Sequence, residues 1–220
     1  MMSKTSDALS RRRFLGYAGT MAGVAAFAAS CKKNDDPMPD YGVDLGSGDI
    51  GILNYAFALE QLEAAFYMQV AMTPFSGITP AENALLTDIR DHEIAHREFF
   101  KTALGANAIT TLEFNFSAIN FSSRDSVLAT AKAFEDLGVS AYNGAGKLIA
   151  NPDYLTLAGK IVSVEARHAA YIRDLISNGS FADNSVIDAN GLDTSRMPAE
   201  VLSAASAYIR TKINGSRLPQ

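Results

Sequence analysis

From Asp49 to about Met72, the segment DIGILNYAFALEQLEAAFYMQVAM spaces Leu53, Phe57, Leu62, Phe66 and Val70 four to five residues apart. That is the period of an apolar stripe along a helix, and Asp49 stands where an N-cap is wanted. A second helix is predicted over TPAENALLTDIRDHEIAHREFFKTAL, opened by Thr79, Pro80 and Glu82 in a capping-box pattern and stopped by Gly105. A third runs from about Ser123 to Ile149, and a fourth follows the Asn151-Pro152 cap to about Ser177, ahead of Asn178-Gly179. Beyond a loop rich in Gly, Asn and Asp, Pro198 opens a shorter fifth helix, PAEVLSAASAYIRTKI.

The joins between these helices set the topology. Helices 1 and 2 are linked by a short Pro/Gly turn and helices 3 and 4 almost directly, so each pair is expected to form an antiparallel hairpin. Between the hairpins lies a long connection, residues 105–122, in which Leu112, Phe114 and Phe116 alternate with polar positions as if packed along one side of a bundle. The expected fold is all-α: a four-helix bundle over 49–177 with one long crossover between its second and third helices, then an extension over 178–220 carrying the short helix.

Four of the chain's nine glutamates interrupt the apolar stripes. Glu60 shares its helix face with Leu53, Ala56, Phe57, Ala64 and Tyr67; Glu93 with Leu86, Ile89 and Phe100; Glu135 with Leu128, Ala131 and Tyr142; Glu165 with Ile161, Val162 and Ile172. A carboxylate turned into a core is costly, and four together repel one another unless protons or cations neutralise them. Two of the three histidines, His96 and His168, follow Glu93 and Glu165 at the third position, on the same stripe. Inward carboxylates with imidazoles point to a metal site built from Glu and His.

Three further groups bear on that site. Glu63, one turn beyond Glu60, rivals it as a ligand, although Tyr67 follows Glu60 at the same seven-residue interval at which Tyr142 follows Glu135. The two tyrosines are candidate catalytic residues beside the ligands, donating hydrogen bonds or electrons; plain core aromatics are the alternative. His92 lies about 100° round the helix from Glu93, which places it toward solvent or against a ligand rather than among the ligands.

Composition narrows the chemistry. The chain of 220 residues is 48% hydrophobic and 20% charged, enough for one globular domain with a real core. A net charge of −5 and a pI near 5.2, with no cluster of Lys and Arg beyond the N-terminus, argue against nucleic acid as a partner. The single cysteine, Cys31, rules out an internal disulfide and a CxxC metal knuckle.

The N-terminus reads as an address. Ser10-Arg11-Arg12-Arg13-Phe14-Leu15, followed by a mildly apolar Gly/Ala-rich stretch too short to span a membrane stably, resembles a twin-arginine export signal in which Gly16 replaces the usual Lys. The AASC ending, with Ala28 where Leu is commonest, resembles a lipoprotein processing box. Residues 1–30 are thus expected to be a signal peptide, with Cys31 as a lipidated N-terminus tethering the domain to a membrane. An ordinary cleavage site with a free thiol is the alternative. Residues 31–48, polar and rich in Pro and Gly, are the expected flexible spacer. Lys32-Lys33-Asn34-Asp35-Asp36 looks like the acidic post-cysteine signals of surface lipoproteins.

Glu60, Glu93-x-x-His96, Glu135 and Glu165-x-x-His168, in that order on four helices, resemble the carboxylate-bridged dimetal signature of the ferritin-like superfamily. Together with the export signal and the MPAEVL segment, the chain looks like the exported ferritin-like group that includes desiccation-related proteins. The resemblance implies two Fe (or Mn) ions bridged by Glu93 and Glu165, with Glu60 and Glu135 as terminal ligands and His96 and His168 completing the two sites. It also implies redox chemistry with O2 or peroxide in the periplasm or at the cell surface: iron(II) oxidation or peroxide scavenging. A manganese-catalase-like enzyme and a non-catalytic stress protein with a structural metal are the alternatives. The expected partners are O2 or peroxide, the membrane through Cys31, and a second copy in a homodimer.

Overall fold

The computed structural model describes residues 41–220; the expected export signal, Cys31 and most of the spacer lie outside the described residues. After a two-residue strand β1 (Val43–Asp44) come helices α1 (Gly48–Met72), α2 (Pro80–Leu104), α3 (Arg124–Gly146), α4 (Pro152–Ile176) and α5 (Pro198–Ala205), then β2 (Ile213–Asn214). The local signals act as expected at most boundaries. Thr79 and Glu82 form a reciprocal capping box, Pro80 occupies the first turn of α2, and Gly105 ends it. Ser123 caps α3 and Asn151 caps α4.

Two expectations need correcting. Asp49 is not the N-cap of α1; Ser47 holds that position, and the Asp49 carboxylate instead accepts the Ala150 and Asn151 backbone N–H groups at 2.8 and 2.9 Å. It ties the start of α1 to the α3–α4 turn. The fifth helix stops at Ala205, because the backbone beyond it pairs with other chain segments: Arg210 N–H donates to Glu113 O at 2.7 Å, Asn115 N–H donates to Tyr208 O at 2.8 Å, and β2 runs parallel to β1. A helix has no spare backbone groups for such ladders.

These pairings explain why α1 is buried continuously from Gly51 to Ala64. The hairpin partner and the facing helices of the second hairpin cover the bundle side, and the crossover and extension cover the rest. Asn54 donates to Leu45 O and Asn107 O and accepts from Ile109 N–H, while Gln61, two turns on, accepts from Leu112 N–H at 2.9 Å. Leu112 is buried and Phe114 and Phe116 half-buried, with exposed polar residues between them. Val201, Ala205, Ile209 and Leu218 of the extension join the same core as Leu62 and Phe66 of α1.

The extension is also fastened to α3 and α4. Arg173, 2% exposed, donates to Asp136 at 2.6 Å, to Asp183 at 2.7 Å and to Ser180 O at 3.1 Å. Arg196 N–H donates to Ser140 O, and a Cβ on Gly144 would stand 1.7 Å from Arg196 O. Because that neighbour is backbone, it cannot rotate away. Gly144→Ala is expected to cost roughly 3 kcal/mol, the upper range for overpacking, lowering Tm by about 10 °C. A thermal melt checks this, and unchanged stability would mean the extension rides loosely on α3. Among the described residues no helix is long and apolar enough to cross a membrane.

Candidate metal centre

Helix periodicity delivers Glu60, Glu93, Glu135 and Glu165 to the interior, and all four are 0% exposed. His96 and His168 arrive beside them, each one turn past its glutamate. The Nδ1 atom of His96 lies 2.8 Å from Glu165 Oε1, 3.4 Å from Glu60 Oε2 and 3.7 Å from Glu93 Oε2. His168 Nδ1 lies 2.9 Å from Glu93 Oε1 and 3.5 Å from Glu135 Oε2. Two donor clusters result, Glu60/Glu93/His96/Glu165 and Glu93/Glu135/Glu165/His168, each with its donor atoms within 4.8 Å of one another. Glu93 and Glu165 belong to both.

The unpartnered atoms sharpen this picture. Glu93 and Glu165 leave both oxygens without a hydrogen-bond partner; Glu60 and Glu135 leave only Oε2; His96 and His168 leave Nδ1. The other oxygen of each terminal glutamate is taken by a tyrosine. Tyr67 O–H donates to Glu135 Oε1 at 2.6 Å, and Tyr142 O–H donates to Glu60 Oε1. Buried polar groups without partners are rare and costly. Here they divide into two sets of four donors, with two carboxylates able to serve both sets, as two cations side by side would require. Carboxylate and imidazole donors suit Fe(II) and Mn(II), and four donors per cluster leave positions open on ions that accept six.

The tyrosine contacts run crosswise. A residue seven positions along a helix is displaced by about 10 Å, so Tyr67 cannot reach Glu60 on its own helix. It lies level with Glu135 on α3, as Tyr142 lies level with Glu60, which makes α1 and α3 antiparallel and relates the hairpins by a pseudo-twofold. The equal intervals in the sequence were the signal; which glutamate each tyrosine meets was not legible there.

His92 meets His168 rather than only water. Its Nδ1 is 2.9 Å from His168 Nε2, with the rings 11° from parallel. If His168 gives Nδ1 to a metal, its Nε2 carries the proton and donates to His92, a contact that fixes tautomer and ring orientation. His92→Phe keeps the stacked ring but removes the acceptor; the expected loss in metal affinity is about 10- to 100-fold, read by competition with a chelator. An unchanged affinity would make the contact incidental.

Electrostatics describe the same centre without its cations. Burial pushes Glu60 up to about 7, against the pull of His96, and raises Glu135, Glu63 and Glu165, the last two well above the carboxylate range. Burial would also raise Glu93, but His168 and His96 outweigh it and hold that carboxyl down at about 2. Desolvation works against charging the imidazoles; the surrounding carboxylates prevail, lifting His168 to about 10 and His96 higher still. Metal-free, the centre therefore stores protons that cations must displace.

Glu60 belongs to a donor cluster, whereas Glu63, buried at 3% exposure, lies outside both. Residues 48–178, more than half of the chain, match the family model described as a ferritin-like domain. No curated protein matches the chain.

Proposed function

The chain belongs to the ferritin-like domain family, and from that premise we propose that it binds two iron or manganese ions between Glu60, Glu93, His96, Glu135, Glu165 and His168 and uses them for redox chemistry with O2 or peroxide. The observation that carries the proposal is the division of eight unpartnered buried donor atoms into two sets sharing Glu93 and Glu165. Bound there, a pair of redox ions supplies two electrons in one encounter with a dioxygen species.

The chain's own residues prepare that encounter. Tyr67 and Tyr142 fix the rotation of Glu135 and Glu60, so that the free oxygen of each faces inward. Their hydroxyl protons also lie beside the reacting space. Leu53, Ala56, Phe100, Ala141 and Ile161 line an apolar cavity of about 20 Å³ that reaches Tyr142. That volume holds one water-sized molecule, and an apolar lining favours dioxygen over water.

Location is part of the proposal. The twin-arginine-like Ser10–Leu15 segment and the AASC ending support export and lipid anchoring through Cys31, and therefore work in the periplasm or at the cell surface. Export of a folded chain lets the cytoplasm choose the metal, which matters because availability rather than affinity governs selectivity at such sites.

The test is elemental analysis of protein exported by its own leader, followed by O2 and peroxide consumption with and without Fe(II). Two Fe or Mn per chain and metal-dependent consumption are expected. Oxygen release from peroxide with no reductant would assign manganese-catalase chemistry instead. A metal-loaded protein that consumes neither substrate would leave a non-catalytic stress protein with a structural metal, overturning the redox proposal.

A further inference from the structure

The two hairpins do not repeat each other completely, and the difference lies one turn past the terminal glutamates. Three residues after Glu60 stands Glu63; three residues after Glu135 stands Gly138. The pseudo-twofold that exchanges Glu60 with Glu135 thus sets an acid on one side against a residue with no side chain on the other. A Cβ on Gly138 would lie 2.9 Å from Glu63 Oε1 and 3.6 Å from Glu165 Oε2. The missing side chain is therefore the room in which the Glu63 carboxylate sits, beside one of the shared carboxylates.

Glu63 is a poor candidate for a structural acid. It is 3% exposed and makes no hydrogen bond or ion pair among the described residues; the charged groups facing it are Glu165, Glu93, Glu135 and Glu60. A carboxylate surrounded by carboxylates destabilises the fold unless a proton or a cation neutralises it. Packing alone would be better served by an apolar residue at 63 and a larger one at 138, since a glycine inside a helix destabilises it relative to alanine.

We propose that Glu63 is a seventh donor to the metal pair, admitted by Gly138, and that it makes the two halves of the centre unequal. This rests on the two-metal reading above. Two divalent cations balance the four carboxylates of the symmetric set; Glu63 adds a fifth negative charge, which favours the more oxidised pair. With no hydrogen bond holding it back, it can join or leave the coordination shell as the charge on the ions changes.

The test uses the purified full chain, Glu63→Gln and Gly138→Ala, each titrated with Co(II) and followed by visible absorption, then loaded with iron for potentiometry. Gly138→Ala leaves every donor in place, and its new methyl displaces only the flexible end of Glu63, so it removes the contact without removing the acid. Both variants are expected to weaken uptake of one Co(II) by tenfold or more, to alter the same absorption bands, and to raise the midpoint potential of the iron pair. If the parent binds two Co(II) and both variants match it in affinity, spectrum and potential, Glu63 is no donor and the proposal falls while the two-metal reading stands. If the parent binds no Co(II) and no iron, both readings fall together.

Discussion

Glu93→Ala empties the whole centre, not half of it. Glu93 offers one oxygen to the cluster with Glu60 and His96 and the other to the cluster with Glu135 and His168, and neither oxygen has another partner. Its removal leaves each cluster with three donors and takes away a bridge, so metal content is expected to fall from two ions per chain to nearly none. Affinity should drop by well over 100-fold, beyond the loss typical of removing a group that merely supports a ligand, and O2 or peroxide consumption should vanish with it. Glu60→Ala is the contrast: the Glu93/Glu135/Glu165/His168 cluster is untouched, so one ion per chain should remain. Elemental analysis of parent and both variants decides the matter. Equal losses in the two variants would show that the glutamates do not divide into bridging and terminal roles.

Metal-free protein loses stability as pH rises from about 5 to 10, and metal-loaded protein does not. Between its unfolded value near 4.5 and its folded value of about 7, Glu60 holds a proton only in the folded chain, so folding weakens as pH climbs through that window. Glu63, Glu135 and Glu165 shift the same way. His168, raised from 6.5 to about 10, stabilises the fold fully below 6.5, and that contribution is lost as pH rises from 6.5 to about 10. Glu93 works in the opposite sense only in acid, where its contribution is lost as pH falls from 4.5 toward 2.

Each pKa unit corresponds to about 1.4 kcal/mol, so the rise of Glu60 from 4.5 to about 7 is alone worth about 3 to 4 kcal/mol, and the apoprotein is expected to melt at least about 10 °C lower at pH 9 than at pH 5. Cations displace those protons and bind more tightly as pH rises, so the gap between loaded and metal-free Tm should widen with pH. Scanning calorimetry with and without Mn(II) over that range provides the check. A gap that narrows with pH would mean that the acids are ionised and separately compensated in the metal-free fold.

Much of the molecule is legible in the amino-acid sequence alone. Pro80, Asn151-Pro152 and Gly105 marked helix ends because capping chemistry is local. The inward glutamates stood out against Leu86, Ile89, Leu128 and Ile172, since the 3.6-residue period needs no knowledge of neighbours. The C-terminal segment was legible only to Ala205. Beyond it, helical propensity yielded to backbone pairing with the crossover, nearly a hundred residues away in sequence.

The rods, their caps, the single long crossover and the six polar groups on the apolar stripes are written into the amino-acid order, because each follows from contacts within a few residues along one chain segment. That Tyr67 serves Glu135 and Tyr142 serves Glu60, that His92 rests against His168, and that Gly138 makes room for Glu63 emerge only when the helices pack. A helix fixes where its own side chains point, whereas what they meet depends on the direction and level of the helix opposite, which packing of the whole core selects.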